Sequence, residues 1–192
     1  MEKVTVFCAS SNKVAEKYYA ATTELGQILA KNNITVYYGG GKDGLMGALS
    51  RTLLAEQGRI IGVLPEFMRP FHWYNADATQ LIWVKNMFER KQMLLSDTDA
   101  VICLPGGCGT LDELLEVITL KQLGQFDKPI VILNTGGYFE PLFAMFRKMT
   151  DEHFMREMHL GMWTTVSTPA EILPAIESSP KWELNNASSA QI

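Results

Sequence analysis

Residues Ala100–Leu104 read AVICL, and Pro105–Glu113 follow as PGGCGTLDE. Five apolar residues stop at a proline, three glycines loosen the turn, and a threonine then opens a helical pattern, TLDELLEVITLKQL. An unbroken apolar run bounded this way suits a strand covered by helices on both faces, as in a parallel sheet. Glycines let backbone amides face inward, and the free first-turn amides of the following helix make an anion site with the Thr110 hydroxyl. A strand, a glycine turn and a helix start in that order predict an α/β fold whose crevice lies at the carboxyl ends of its strands.

The same alternation runs in both directions from this segment. Strands are expected at Val4–Cys8, Ile34–Tyr38, Arg59–Leu64, Gln80–Val84, Ala100–Leu104 and Ile130–Asn134. Helices are expected at Lys13–Lys31, Leu45–Gln57, Phe88–Leu95, Thr110–Leu123 and Tyr138–Asp151. Strands separated by helices define a doubly wound, Rossmann-like parallel sheet. With 192 residues, no internal repeat and no linker, residues 1–184 read as one nucleotide-binding domain. The polar stretch 185–192 reads as a fraying tail. Between Pro65 and Thr79 lies an irregular stretch rich in Pro, Phe, His, Trp and Tyr. It reads as a lid, an oligomer contact, or a loop packed over the core.

A second glycine turn follows Ile34–Tyr38: GGGKDGLMG, Gly39 to Gly47. Gly39, Gly41 and Gly44 satisfy G-x-G-x-x-G, and Gly40, Gly41 and Gly44 are candidate phosphate contacts. The turn follows the second strand instead of the first, and Glu66, near the spacing of a ribose-binding acid, follows a proline in a loop. Both count against a dinucleotide reductase. The Walker pattern is absent, since Lys42 precedes Asp43. The plainer reading is a turn that merely needs glycine.

Composition narrows the partners. Hydrophobic residues make up 47% and charged residues 20%, and the formal net charge is −4. No basic stripe advertises a nucleic-acid surface. No apolar run reaches membrane-spanning length, and the N-terminus lacks a signal-peptide pattern. A cytoplasmic protein with a small-molecule phosphate ligand is the expectation. Cys8, Cys103 and Cys108 lack zinc spacing and read as reduced thiols. Cys108 at a helix start could be a nucleophile, but no histidine partners it. His72, His153 and His159 show no ligand spacing. Glu113 has two readings: Thr110-x-x-Glu113 is a capping box, the stronger reading on motif alone, while a carboxylate beside a glycine crevice suits acid–base chemistry. Arg90, read alone, is a solvated helix residue or a structural ion pair.

Met87–Lys91 (MFERK), Pro105–Thr119 (PGGCGTLDELLEVIT), Gly39–Gly47, Ser10-Ser11 and Asp127–Asn134 (DKPIVILN) together resemble the Lonely Guy phosphoribohydrolases. The resemblance spans nearly the whole chain. It implies a Rossmann-like homodimer or larger assembly that hydrolyses a purine nucleoside 5′-monophosphate, an N6-modified adenine type, to free base and ribose 5-phosphate. It implies no cofactor and no metal. It places Arg90 and Glu113 on the catalytic pair, and Lys91, Gly106, Gly107, Gly109, Thr110 and Thr119 on nucleotide-contacting positions. Phe88 stands where the family often has His, and Ala9 where it often has Gly, which leaves base preference open. Alternatives are a general AMP nucleosidase and, from another class, a non-catalytic nucleotide or cofactor carrier, which needs no Arg90–Glu113 pair. A pyridoxal-phosphate decarboxylase is disfavoured because no lysine stands out as a Schiff-base candidate.

Overall fold

The computed structural model describes residues 1–182; the expected tail at 185–192 lies outside them. Seven strands alternate with six α-helices: β1 (Lys3–Phe7), α1 (Glu16–Lys31), β2 (Thr35–Tyr38), α2 (Gly44–Ala55), β3 (Ile60–Pro65), β4 (Gln80–Val84), α3 (Met87–Leu95), β5 (Ala100–Cys103), α4 (Cys108–Gln122), β6 (Ile130–Leu133), α5 (Glu140–Asp151), β7 (Thr164–Val166) and α6 (Ile172–Ser178). All pairings are parallel and the strand order is β4-β3-β2-β1-β5-β6-β7.

Two apolar layers clothe the sheet. One packs Leu25, Leu29, Leu49, Leu53 and Ile176 of α1, α2 and α6 against Val4, Val6, Val36 and Ile102. The other packs Leu94, Leu114, Val117, Ile118 and Phe146 of α3, α4 and α5 against Phe7, Val101, Cys103 and Ile132. Alternate residues of β1 and β5 therefore serve opposite layers, which explains why these strands read as continuous apolar runs.

The sequence omits two elements. β7 is three residues, TTV, with Thr165 exposed, too short and polar to register as a strand. α6 follows a capping box at Thr168 and Glu171. The stretch after β3 is also more ordered than an irregular loop: residues 66–71 form a 3-10 turn, and Tyr74 bridges to Gly41. The guanidinium of Arg69 lies 4.1 Å from the Trp83 ring centroid, a cation–π contact that pins the turn to β4.

The chain winds outward in one direction from β1 to β4 and in the other from β5 to β7. The reversal falls between β1 and β5, and the crevice it opens at the strands' carboxyl ends is where such sheets bind ligands.

Candidate active site

A cavity of about 630 Å³ fills that crevice. Its walls come from the ends of β1 (Cys8, Ala9, Ser10), β2 (Gly39, Gly41) and β5 (Gly107, Cys108, Gly109, Thr110), with Arg90 of α3 and Glu113 of α4 between them. Leu64, Met46, Met68, Met87 and Trp73 make the remaining side apolar.

α4 starts at Cys108 with Gly107 as its N-cap, two residues earlier than the sequence pattern suggests. Thr110 is therefore the third helical residue, not the cap, and the capping box read from Thr110 and Glu113 does not form. Glu113 lies one turn further on, and its side chain reaches α3. Arg90 Nη1 donates to Glu113 Oε1 at 2.8 Å, while Nε donates to the Val63 carbonyl at 3.0 Å and Nη2 to that of Gly39 at 3.4 Å. Two strand-end carbonyls thus brace the guanidinium, and the guanidinium aims the carboxylate. Arg90 is 8% exposed and Glu113 9%. Burial raises the Glu113 pKa above the ordinary carboxylate value, against the opposing pull of Arg90. Its Oε2 accepts no hydrogen bond from the described residues.

The two glycine turns differ in what their amides do. At α2 they are taken: the Ala9 carbonyl accepts from Leu45 and Met46 at 2.9 and 3.2 Å, and Asn12 Oδ1 accepts from Gly44 at 2.6 Å. Gly44 has φ +59° and a Cβ there would lie 2.5 Å from the Ser10 backbone, so this glycine serves a close crossing of two loops. Asp43 adds a carboxylate to that wall. At α4 the amides of Gly109 and Thr110 have no acceptor among the described residues. A Cβ built on Gly107 or Gly109 would meet nothing within 4 Å. That is room facing the cavity, at the positive end of a 15-residue helix, an arrangement that favours a negatively charged group.

Of the other residues singled out in sequence, Gly41 lines the cavity, while Gly40 packs behind it with a Cβ direction blocked by Leu64. Gly106 lies behind the wall, its carbonyl accepting from the Tyr138 hydroxyl at 2.6 Å. Lys91 points away from the cavity: its ammonium pairs with Glu116 and, at 3.3 Å, with Asp112. The Glu116 hydrogen bond, ahead of the other contributions, raises its pKa. Thr119 is exposed and its hydroxyl donates to the Leu115 carbonyl at 2.7 Å, so neither Lys91 nor Thr119 joins the cavity within one chain. Phe88 is 63% exposed, and Ala9 lines the wall beside Ser10. Asn12 and Tyr138 had no sequence signal, because their roles arise only when distant loops meet, while Met68 and Trp73 belong to the aromatic stretch between Pro65 and Thr79, which thus lines the cavity. Among the described residues, no group of three or more His, Cys, Asp or Glu side chains could hold a metal.

Residues 46–176 match the family model described as possible lysine decarboxylase. The chain is 37% identical to the probable cytokinin riboside 5′-monophosphate phosphoribohydrolase LOGL2 of Oryza sativa subsp. japonica, over 98% of this chain and 82% of that one. It is 38% identical to the cytokinin riboside 5′-monophosphate phosphoribohydrolase LOG1 of Arabidopsis thaliana, over 92% and 83%. Its backbone resembles that of the molybdenum cofactor binding protein from Rippkaea orientalis, with a TM-score of 0.70 and 21% identity over 92% and 96% of the two chains; that likeness concerns the fold alone. The chain belongs to the Lonely Guy (LOG) family, the group that the lysine-decarboxylase model describes.

Proposed function

We propose that the protein hydrolyses the N-glycosidic bond of purine nucleoside 5′-monophosphates, N6-modified adenine types included, to free base and ribose 5-phosphate. The observation that carries this reading is the buried Arg90–Glu113 pair in the wall of a cavity with an open helix N-terminus. Breaking the purine–ribose bond builds positive charge on the sugar, as in glycoside hydrolysis. Glu113 is the carboxylate that stabilises that charge, and its unengaged Oε2 orients and deprotonates the attacking water. Arg90, whose pKa exceeds about 12, is no proton donor at neutral pH; it holds Glu113 in place. The 5′-phosphate sits on the amides of Gly109 and Thr110 with the Thr110 hydroxyl. The base lies toward Met68, Met87 and Trp73, where apolar surface offers room for an N6 substituent. A carrier of the same fold has no use for a buried carboxylate aimed into its pocket, and a general AMP nucleosidase differs only at the apolar end.

A homodimer is part of the reading. Leu115 on α4 and Leu123 just past its end are 40% and 47% exposed, although the turn at 157–162 covers other parts of that helix. Phe88 extends the apolar surface along α3, which Lys91 ties to α4. A two-fold partner would bury this surface. Three unpaired cysteines suit a reducing, cytoplasmic setting, and no helix among the described residues is long and apolar enough to cross a membrane.

The deciding experiment incubates the protein with AMP, N6-isopentenyl-AMP and adenosine and separates the released bases by chromatography. Release from the nucleotides, with adenosine at least about 100-fold slower in kcat/KM, is expected because phosphate binding orients the sugar. Equal rates for AMP and adenosine would remove the phosphate site from the account. No release from any of them would leave the carrier reading.

A further inference from the structure

The environments of the three thiols divide them sharply. Cys8 and Cys103 are buried; burial, with the Glu113 carboxylate adding to it, pushes both thiols far above the ordinary range, so both stay protonated and inert. Cys108 is exposed, is the first residue of α4, and lines the cavity between Gly107 and Gly109. Thr110, 4% exposed, lines the same wall, and its hydroxyl has no hydrogen-bond partner among the described residues. That side chain, with the open amides beside it, offers donors to any anionic group brought next to Cys108.

We propose that Cys108 is a modification site at which a small disulfide carrying carboxylates reversibly closes the phosphate end of the cavity. The inference rests on that cavity being the hydrolase site. In the reaction the Cys108 thiol gives its proton to solvent, and its sulfur attacks one sulfur of the disulfide. A new S–S bond forms as the old one breaks, and the second half leaves as a thiolate. The acidic half retained on Cys108 places a carboxylate over the Gly109 and Thr110 donors and fills the open space beside Gly107 and Gly109. With Cys8 and Cys103 inert, exchange by an incoming thiol is the route that frees the site.

The test exposes the protein to oxidised glutathione and follows three readouts: intact mass, hydrolysis of AMP, and calorimetric binding of ribose 5-phosphate. One adduct is expected, on Cys108, with both hydrolysis and ribose 5-phosphate binding weakened at least about tenfold, the loss of one or two charge-assisted hydrogen bonds. Dithiothreitol should reverse all three changes, and ribose 5-phosphate present beforehand should slow the adduct. In Cys108→Ala, treated and untreated samples should behave alike. A complete Cys108 adduct that leaves ribose 5-phosphate binding intact overturns the proposal, as does equal inhibition of Cys108→Ala. If the untreated protein cleaves no nucleotide, the hydrolase reading falls and the binding readout still decides this one. If the untreated protein does not bind ribose 5-phosphate either, both fall.

Discussion

Arg90 and Lys91 are neighbours on α3, yet they serve different faces of the helix. Successive helical residues are rotated by about 100°, so one guanidinium turns to the strand ends while the adjacent ammonium turns to Asp112 and Glu116. A contiguous motif conceals that division. In the reading proposed here, Glu113→Gln should lower kcat by about 10²–10⁴-fold, the range for loss of a positioned acid–base group. The variant should stay folded and melt close to the parent at neutral pH, because the amide oxygen still accepts from Arg90 and no ionised carboxylate is left buried; steady-state kinetics and thermal melting read the two effects. The pH dependence has a definite sign. Glu113 works ionised, and burial raises its pKa, so kcat/KM should fall as pH drops, with a midpoint above the ordinary glutamate value of about 4.3. Stability responds oppositely: the folded state binds this proton more tightly than the unfolded chain, so this group's contribution improves as pH falls through its folded pKa. An acid limb centred at or below the ordinary value would remove Glu113 from the rate-determining ionisation. The sequence singled out Glu113 by its place beside the glycine turn, but Arg90 and its pairing with Glu113 only through family motifs, because a separation of 23 residues carries no local signal.

The two strand–glycine–helix units look alike in sequence and differ in use. What separates them is Asn12, from the loop after β1, together with the Ala9 carbonyl, which fills the α2 amides; neither is adjacent to the motif it completes. At α4 the glycines at 107 and 109 face open space. Gly109→Ala should therefore melt no lower than the parent, alanine being better by about 0.5–1 kcal/mol within a helix, while KM for AMP rises about tenfold or more as the methyl crowds the phosphate. A variant that loses stability and keeps its KM would show that this glycine serves the fold. The far end of α4 makes a separate prediction. Lys121 is buried, donates to the Lys128 carbonyl at 2.7 Å, and burial lowers its pKa to about 8. Its folded state releases a proton that the unfolded chain still holds, so stability gains as pH rises from about 8 toward the ordinary lysine value of about 10.4. Lys121→Met should remove that gain, as denaturant melts across the range would show.

For the molecule as a whole, six strands and five helices were legible because their apolar runs match the strand and helix periods. The seventh strand was not, since TTV at an edge needs little hydrophobicity. Strand order was not legible either, because crossovers leave no local trace; it is the β1–β5 reversal that gathers residues from four strand ends around one cavity. The exposed leucines of α4 extend this scale to assembly. Light scattering at micromolar concentration should report a dimer, and Leu115→Glu should shift it toward monomer by burying a charge in the proposed interface. A wild-type monomer would show that this surface needs no cover.

The inequality between the two helix starts also gives the reaction a direction in time. In the site proposed above, with the α2 amides taken and Asp43 beside them, a phosphate rests on the start of α4, while the half-exposed Trp73 lines the apolar side. A cleaved base is then held by apolar contact alone, whereas ribose 5-phosphate keeps the charged contacts that held the substrate. The base should depart first and the sugar phosphate last. In steady-state inhibition, ribose 5-phosphate should compete with AMP, since both claim the empty enzyme, while adenine should act noncompetitively by rebinding to the sugar-loaded form. The reverse pattern would mean that the cavity is read from its other end.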